Sequence, residues 1–409
     1  MGRPKGSPNK PKLTGTAIRL EKQIEGAPVC RPTIQGWVKY GANNDYPKLL
    51  LDLYEQSTTH QACIDFAAAS IVGEGVDYEA MNIDGTQTQP SYDTTWDDFI
   101  KAISLDFALF RSFAVEIIMN NDGRTYSFYH VPFDKVRATP YDEDGVITAY
   151  YVCNDWTNTV QNPPRLLKAF GMQDDEQIVK GESYLYVYTT YSPTQTYYSS
   201  PKYVSGIKAI QSEIEFINYD LRHASNNFTP IGVLTINQVA DDEERQAVMK
   251  SIRDMFTGSD NAGNLMVNFR QNPEDQNAEF TPFTAPTQNV NLFEAANERT
   301  ITRILSAHQI PSRLLIGIPQ GNNGFNSEAA MLETAYKLYN KLVGNNNRLC
   351  ITKTLNHMLR MNGIDVEIIL KPLTFLDVSE TGDRNPMDET NEKVVTDETS
   401  TNNIEERKA

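Results

Sequence analysis

The segment PKYVSGIKAIQSEIEFINYDLRHASN, residues 201–226, sets Tyr203, Ile207, Ile210, Ile214, Ile217 and Leu221 at successive steps of 4, 3, 4, 3 and 4. At 3.6 residues per turn, side chains in such a heptad row fall on one narrow stripe of a helix. A stripe this slim predicts a long helix that packs through a narrow contact. Lys202, Lys208, Glu213, Glu215, Asp220 and Arg222 are then left mostly to water or to an adjacent subunit. The pattern fits a helix bundle or an intermolecular seam, and it also fits an ordinary core helix, so the segments around it have to decide.

On the C-terminal side, PIGVLTINQ, DDEERQAVMKSIRDMFTG, NLMVNF and AEFTPFTA read as strand, helix, strand and strand, a small α/β insert. A second helix follows from about Asn291, where Glu294 three residues on suits a capping pair, and runs to Pro311. Two helices of similar length therefore bracket the insert. If they pair antiparallel, the insert projects from their far end like a head on a stalk.

On the N-terminal side, YPKLLLDLYEQS and THQACIDFAAASIVGEG read as two short helices, the second stopped by Gly73 and Gly75. Trp96, Phe99, Ile100, Ile103, Phe107 and Phe110 share one face of a stronger helix, most simply a core helix. FAVEIIM and YSFYHV flank the turn NNDGR, which predicts a hairpin. ITAYYVC and SYLYVYTTY are further strand candidates. Residues 27–201 thus read as a mixed helix-and-sheet domain, and the fold class of the chain as α+β.

The 409 residues hold 53 Asp and Glu against 37 Lys and Arg, a formal charge of −16. That balance argues against a protein gripping nucleic acid through many phosphate contacts, which draw their affinity from cations releasing counterions. The charge is uneven. MGRPKGSPNKPK holds four cations and no acid, whereas residues 377–409 hold ten acids and four cations. Both ends lack apolar periodicity and read as disordered arms. Gly2, Arg3 and Pro4 resemble a minor-groove hook, although a solvated or partner-docked tail explains the same composition. Cys30, Cys63, Cys153 and Cys350 are widely spaced, and the first residues do not resemble a secretion signal, which favours a reducing, cytoplasmic setting. No apolar run approaches the roughly 18 residues needed to cross a bilayer, so no membrane partner is expected.

His60, His130, His223, His308 and His357 share no metal-ligand spacing with one another or with cysteine, so no metal site is expected. The phosphate-cradling pattern ending in Gly-Lys-Ser/Thr is missing, and GIPQGNNG offers no lysine in its place. Asp241, Asp242, Glu243 and Glu244 open a helix, where negative charge suits the helix dipole better than it suits a nuclease metal site. No nucleophile motif is found. The expectation is a non-enzyme with no catalytic residue and no cofactor.

Four blocks in order then become informative: NNDYPKLLLDLYEQSTTHQACIDFAAASIVGEG, FRSFAVEIIMNNDGRTYSFYHVPFDKVRA, SSPKYVSGIKAIQSEIEFINYDLRHASNNFTPIGVLTI and FEAANERTITRILSAHQIPSRLLIGIPQGNNGFNSEAA. This series resembles the portal protein family of tailed bacteriophages, in its long-tailed type, over roughly residues 43–361. The last block carries most of the likeness. Ile310, Pro311, Leu314, Leu315, Gly317, Asn326, Ser327 and Glu328 match a helix, an apolar phrase, a soft loop and a new helix start. Members of the family often carry a glycine where FRSFAVEI stands, and little of the sequence after Gly363 beyond the strand-like VEIILKPLTF reads as ordered, so a reduced or missing helical crown is expected.

The resemblance implies a division into a flexible basic arm (1–26), a wing (27–201), a first stem helix (202–228), a clip (229–286), a second stem helix (287–308), a tunnel-loop region (309–326), C-terminal wing helices and strand (327–373) and an acidic tail (374–409). It also implies a ring, usually of twelve copies, at the capsid vertex of a virion assembled in the host cytoplasm. Its partners would be further copies of itself, double-stranded DNA in the channel, the terminase large subunit, the major capsid protein and a head-completion or adaptor protein. Gln320, Gly321, Asn322, Asn323, Gly324 and Phe325 would form the DNA-facing loop, and the heptad row would pack the stem. Residues 314–327 contain no charged side chain, which suits a surface that touches moving DNA without holding it. The rival readings are a DNA-processing enzyme of a mobile element, with the Gly/Asn loop as a lid, and a capsid-associated scaffold without a pore.

Overall fold

The computed structural model describes residues 30–85, 88–171, 178–225, 232–237, 246, 265–270, 279–282, 288–318 and 325–374. The two terminal arms, the helix expected over the DDEE run (apart from Gln246) and Gln320, Gly321, Asn322, Asn323 and Gly324 lie outside the described residues.

Helices α1 (Tyr46–Gln56) and α2 (Thr58–Val72) form where the apolar spacing predicts. Ser57 separates them: its extended backbone ends the first, and its hydroxyl accepts the His60 N–H that opens the second. Gly73, at φ 64°, stops α2 in a conformation a β-carbon disfavours. The four-residue helix α3 (Tyr78–Met81) leads to α4 (Trp96–Phe110), capped by Thr95. All six members of the aromatic-rich face of α4 are buried.

A small ribbon pairs β1 (Arg31–Pro32) with β2 (Val38–Lys39). The main sheet has six strands in the order β4-β3-β8-β7-β6-β5. Its strands are β3 (Ser112–Met119), β4 (Tyr126–Val131), β5 (Val136–Ala138), β6 (Ala149–Val152), β7 (Arg165–Ala169) and β8 (Ser183–Thr189). The predicted hairpin is β3–β4, with the Asp122 carboxylate accepting from the Arg124 and Thr125 N–H groups in its turn. Strands β5 and β7 escape the sequence reading. The first is three residues long, and the second exposes Arg165, Leu166 and Lys168, so neither shows an apolar run.

Helix α5 (Ile207–Ser225) follows a 3-10 turn at Lys202–Gly206, and α6 runs over Gln288–Ala307. The second helix therefore begins three residues before the expected start, and Asn291 with Glu294 sit inside it instead of capping it. Between them, β9 (Gly232–Asn237) lies at the centre of a second sheet, parallel to β10 (Leu265–Arg270) and antiparallel to β11 (Glu279–Pro282). The start of α5 meets the end of α6, where a β-carbon on Gly206 would stand 2.5 Å from that of Ala307. That contact is the one an antiparallel pair requires.

Helices α7 (Phe325–Tyr339) and α8 (Asn345–Met361) are joined by a π turn at Asn340–Gly344. Ile351, Leu355, Met358 and Leu359 of α8 join Ile71, Phe99, Ile103, Phe107, Phe113 and Val115 in one apolar cluster, so the C-terminal helices complete a core begun by the N-terminal half. Burying such faces is the main term holding the layers together. The strand expected in VEIILKPLTF reduces to one bridge, Leu370 with Val76, beside hydrogen bonds from the Asp77 N–H to the Ile369 carbonyl and the Lys371 N–H to the Gly75 carbonyl. Pro372 removes the donor that would extend the ladder.

Candidate assembly surface

The heptad row does not lie in one environment. Tyr203, Ile207 and Ile210 are buried in the larger core cluster with Ile304 and Leu305 of α6, and Ile214 packs half-buried at its edge. Ile217 and Leu221 are 41% and 63% exposed. The row thus starts inside the molecule and runs out along α5 into solvent.

The root of α5 is fixed by polar contacts that the spacing does not announce. Glu213, expected to face water, is 4% exposed. Its carboxylate accepts from the hydroxyls of Ser57 and Thr59, at the joint of α1 and α2. A buried carboxylate is tolerable only with such donors, and these tie α5 to the α1–α2 corner. The Tyr203 hydroxyl donates to the Leu109 carbonyl at 2.9 Å, which anchors the 3-10 turn leading into α5 to α4.

Two histidines 248 residues apart meet beside it. His60 Nδ1 lies 2.8 Å from His308 Nε2, and the Tyr203 ring stacks on His308 at 5.0 Å and meets His60 edge-on at 4.5 Å. Burial lowers both imidazoles, with the neighbouring His308 adding to the effect on His60; His60 falls to about 2 and His308 to about 3. Both are therefore neutral at ordinary pH, and the N–H of one ring donates a hydrogen bond to the bare nitrogen of the other. This pair pins the end of α6 to α2. No sequence signal short of the fold itself joins positions 60 and 308.

Beyond α6, Ser312 caps a 3-10 turn at Arg313–Ile316, and Gly317, at φ 79°, ends it. Arg313 pairs with Glu298 of α6 at 2.8 Å, which folds this turn back on the helix. The chain then enters the segment Gln320–Gly324, outside the described residues, and resumes as α7 at Phe325, whose backbone is helical. Of the residues expected to face DNA, only the backbone of Phe325 is thus described. Among the described residues no group of three or more His, Cys, Asp or Glu is placed to hold a metal ion, and no helix is long and apolar enough to cross a membrane. All four cysteines are free thiols.

An open groove of about 690 Å³ runs between α1 and α5, lined by the apolar Leu49, Leu53 and Ile214 and by the charged Asp52, Glu215 and Lys208. On another part of the molecule, Leu338, Leu342 and Leu349 of the α7–α8 rod are 46%, 65% and 51% exposed. Met331 extends the row, at spacings of 7, 4 and 7. The same spacing was legible in the sequence but carries no mark of whether the row faces the core or the solvent. Together with Ile217 and Leu221, these features make a surface with unsatisfied apolar area on several elements.

No protein-family model matches the chain, and no curated protein matches it. Among solved structures, a chain of the neck of a native gene transfer agent (GTA) particle, computed with C12 symmetry, superposes with a TM-score of 0.52 at 15% identity, covering 86% of this chain and 87% of that one. A chain of the virion of a native GTA particle gives a TM-score of 0.51 at 15% identity over 88% of this chain and 90% of that one. At this identity the likeness is one of fold, and it spans nearly the whole length of both partners. The protein therefore has the α+β fold of a chain found in the virion and neck of a gene transfer agent particle.

Proposed function

We propose that this protein is the portal of a phage-like particle of long-tailed type: a non-enzymatic ring, of about twelve copies, at the vertex of the capsid. Through the ring the genome is packaged and later ejected. Its outer parts dock the terminase large subunit during packaging and a head-completion protein afterwards, and its wing meets the major capsid protein. The observation that carries the reading is the fold shared, over 86% of this chain and 87% of the other, with a chain of a particle neck computed with C12 symmetry. Chemistry is in keeping with it. The chain is acidic, at −16, and the uncharged stretch at residues 314–327 holds amides and glycines where a gripping protein would place cations. Like charge keeps a polyanion centred, and uncharged amides make exchangeable contacts with it.

The exposed apolar end of α5 fits the same reading, because a cyclic ring covers on each neighbour what the isolated subunit leaves open. Class-averaged electron micrographs of the purified protein, viewed down the particle axis, should show rings with a central opening and about twelve-fold symmetry. Monomers alone at every salt and protein concentration would overturn the proposal.

A further inference from the structure

Two of the surfaces described above are complementary. The groove between α1 and α5 is lined by Leu49, Leu53 and Ile214 and carries two carboxylates, Asp52 and Glu215, against one lysine, Lys208, so its charge is negative on balance. The ridge on α7–α8 is apolar along Leu338, Leu342 and Leu349 and is flanked by Lys341 and Lys353. Glu333, the acid on this stretch of the rod, is engaged with Lys337 in an ion pair, leaving the excess charge positive. Among the described residues Asp52, Glu215, Lys341 and Lys353 form no ion pair, so each charge remains available to a partner.

A helix that lays an apolar stripe into an apolar groove, with opposite charges at the borders, is a recurrent mode of association. Here groove and ridge belong to one chain but to different elements, α1–α5 and α7–α8. A surface that fits a different surface of the same molecule makes a heterologous contact, which closes into a ring when the rotation between copies permits. A self-complementary patch would instead stop at a dimer.

We infer that the α7–α8 ridge of each copy lies in the α1–α5 groove of the next, with Leu342 seated on Leu49, Leu53 and Ile214 and with the flanking lysines facing Asp52 and Glu215. The occupant of the groove is thus a second copy of this chain. The inference rests on the ring reading above and specifies its contact. The π turn at Asn340–Gly344 falls within the ridge, between Leu338 and Leu349.

The test is photo-cross-linking of the full chain with p-benzoylphenylalanine in place of Leu342, using a mixture of isotopically heavy and light copies so that links between copies are recognised by mass. The expected result is ring-dependent links between copies that map to residues 49–56 or 208–216. The companion variant Leu342→Asp should lower the ring fraction at least ten-fold while leaving the thermal unfolding of the subunit unchanged, since Leu342 is exposed in the isolated chain. Rings that form normally with Leu342→Asp, or links that map to the same copy or to other parts of a neighbour, overturn this contact and leave the ring reading standing. Wild-type protein that never forms rings overturns both. If the labelled protein fails to fold, the probe moves to Leu349, with the same outcomes read.

Discussion

The His60–His308 pair shows how a single contact sets a measurable property of the fold. Each ring is held below its ordinary value of 6.5, to about 2 and about 3, by burial. In the unfolded chain both would titrate near 6.5, so at acid pH the unfolded state binds protons that the folded state refuses. The stability this pair permits is fully present above pH 6.5 and is lost as pH falls below it, by up to about 1.4 kcal/mol per pH unit for each histidine. Urea unfolding at pH 7 and pH 5 should register the loss above the range where most carboxylates titrate. The double variant His60→Gln, His308→Gln should flatten the dependence, and an equally steep profile in that variant would assign the loss to other groups. Glu213 makes the complementary point. Its place in a heptad flank pointed to water, and only the Ser57 and Thr59 hydroxyls, brought from 156 and 154 residues away, make its burial intelligible.

At the scale of elements, the antiparallel α5–α6 pair depends on the absence of a side chain at Gly206. A β-carbon there would lie 2.5 Å from that of Ala307, closer than two carbons can sit. Gly206→Val is expected to separate the helices and to cost about 1–3 kcal/mol, the usual range for overpacking, read as a shift in the urea midpoint. Gly206→Ala should cost less, and adding Ala307→Gly should restore part of the loss, because the two positions share one contact. If Gly206→Val unfolds like the wild type, the helices are not in contact at that level. Here the sequence was legible in part. Helix α4 and the β3–β4 hairpin follow from periodicity and turn chemistry, because one face of each is buried and the other is not. Strands β5 and β7 were missed because their stability comes from neighbours in the sheet and not from any pattern of their own.

For the whole molecule, the segment from Gln320 to Gly324 belongs to function more than to folding under the portal reading. Deleting these five residues should leave rings intact by electron microscopy but reduce DNA packaged or retained per particle at least ten-fold in an assembly assay. Rings that fail to form would make the segment structural, and full packaging would remove it from the channel. Under the same reading, neighbouring copies in the ring would cover the apolar area left on α5 and on α7–α8 of the isolated subunit.

The sequence by itself determined the local elements and their order: the seam of α5, the aromatic face of α4, the hairpin, the helices around a small insert, and the uncharged stretch between Leu314 and Ser327. These follow from short-range physics, since periodicity, capping and turn chemistry act within a few residues. The tertiary structure alone decided that Ile217 and Leu221 face solvent while Ile207 and Ile210 do not, that Glu213 is buried, and that His60 meets His308. Those outcomes depend on which distant surface lies opposite each side chain, and periodicity marks a face without naming what covers it.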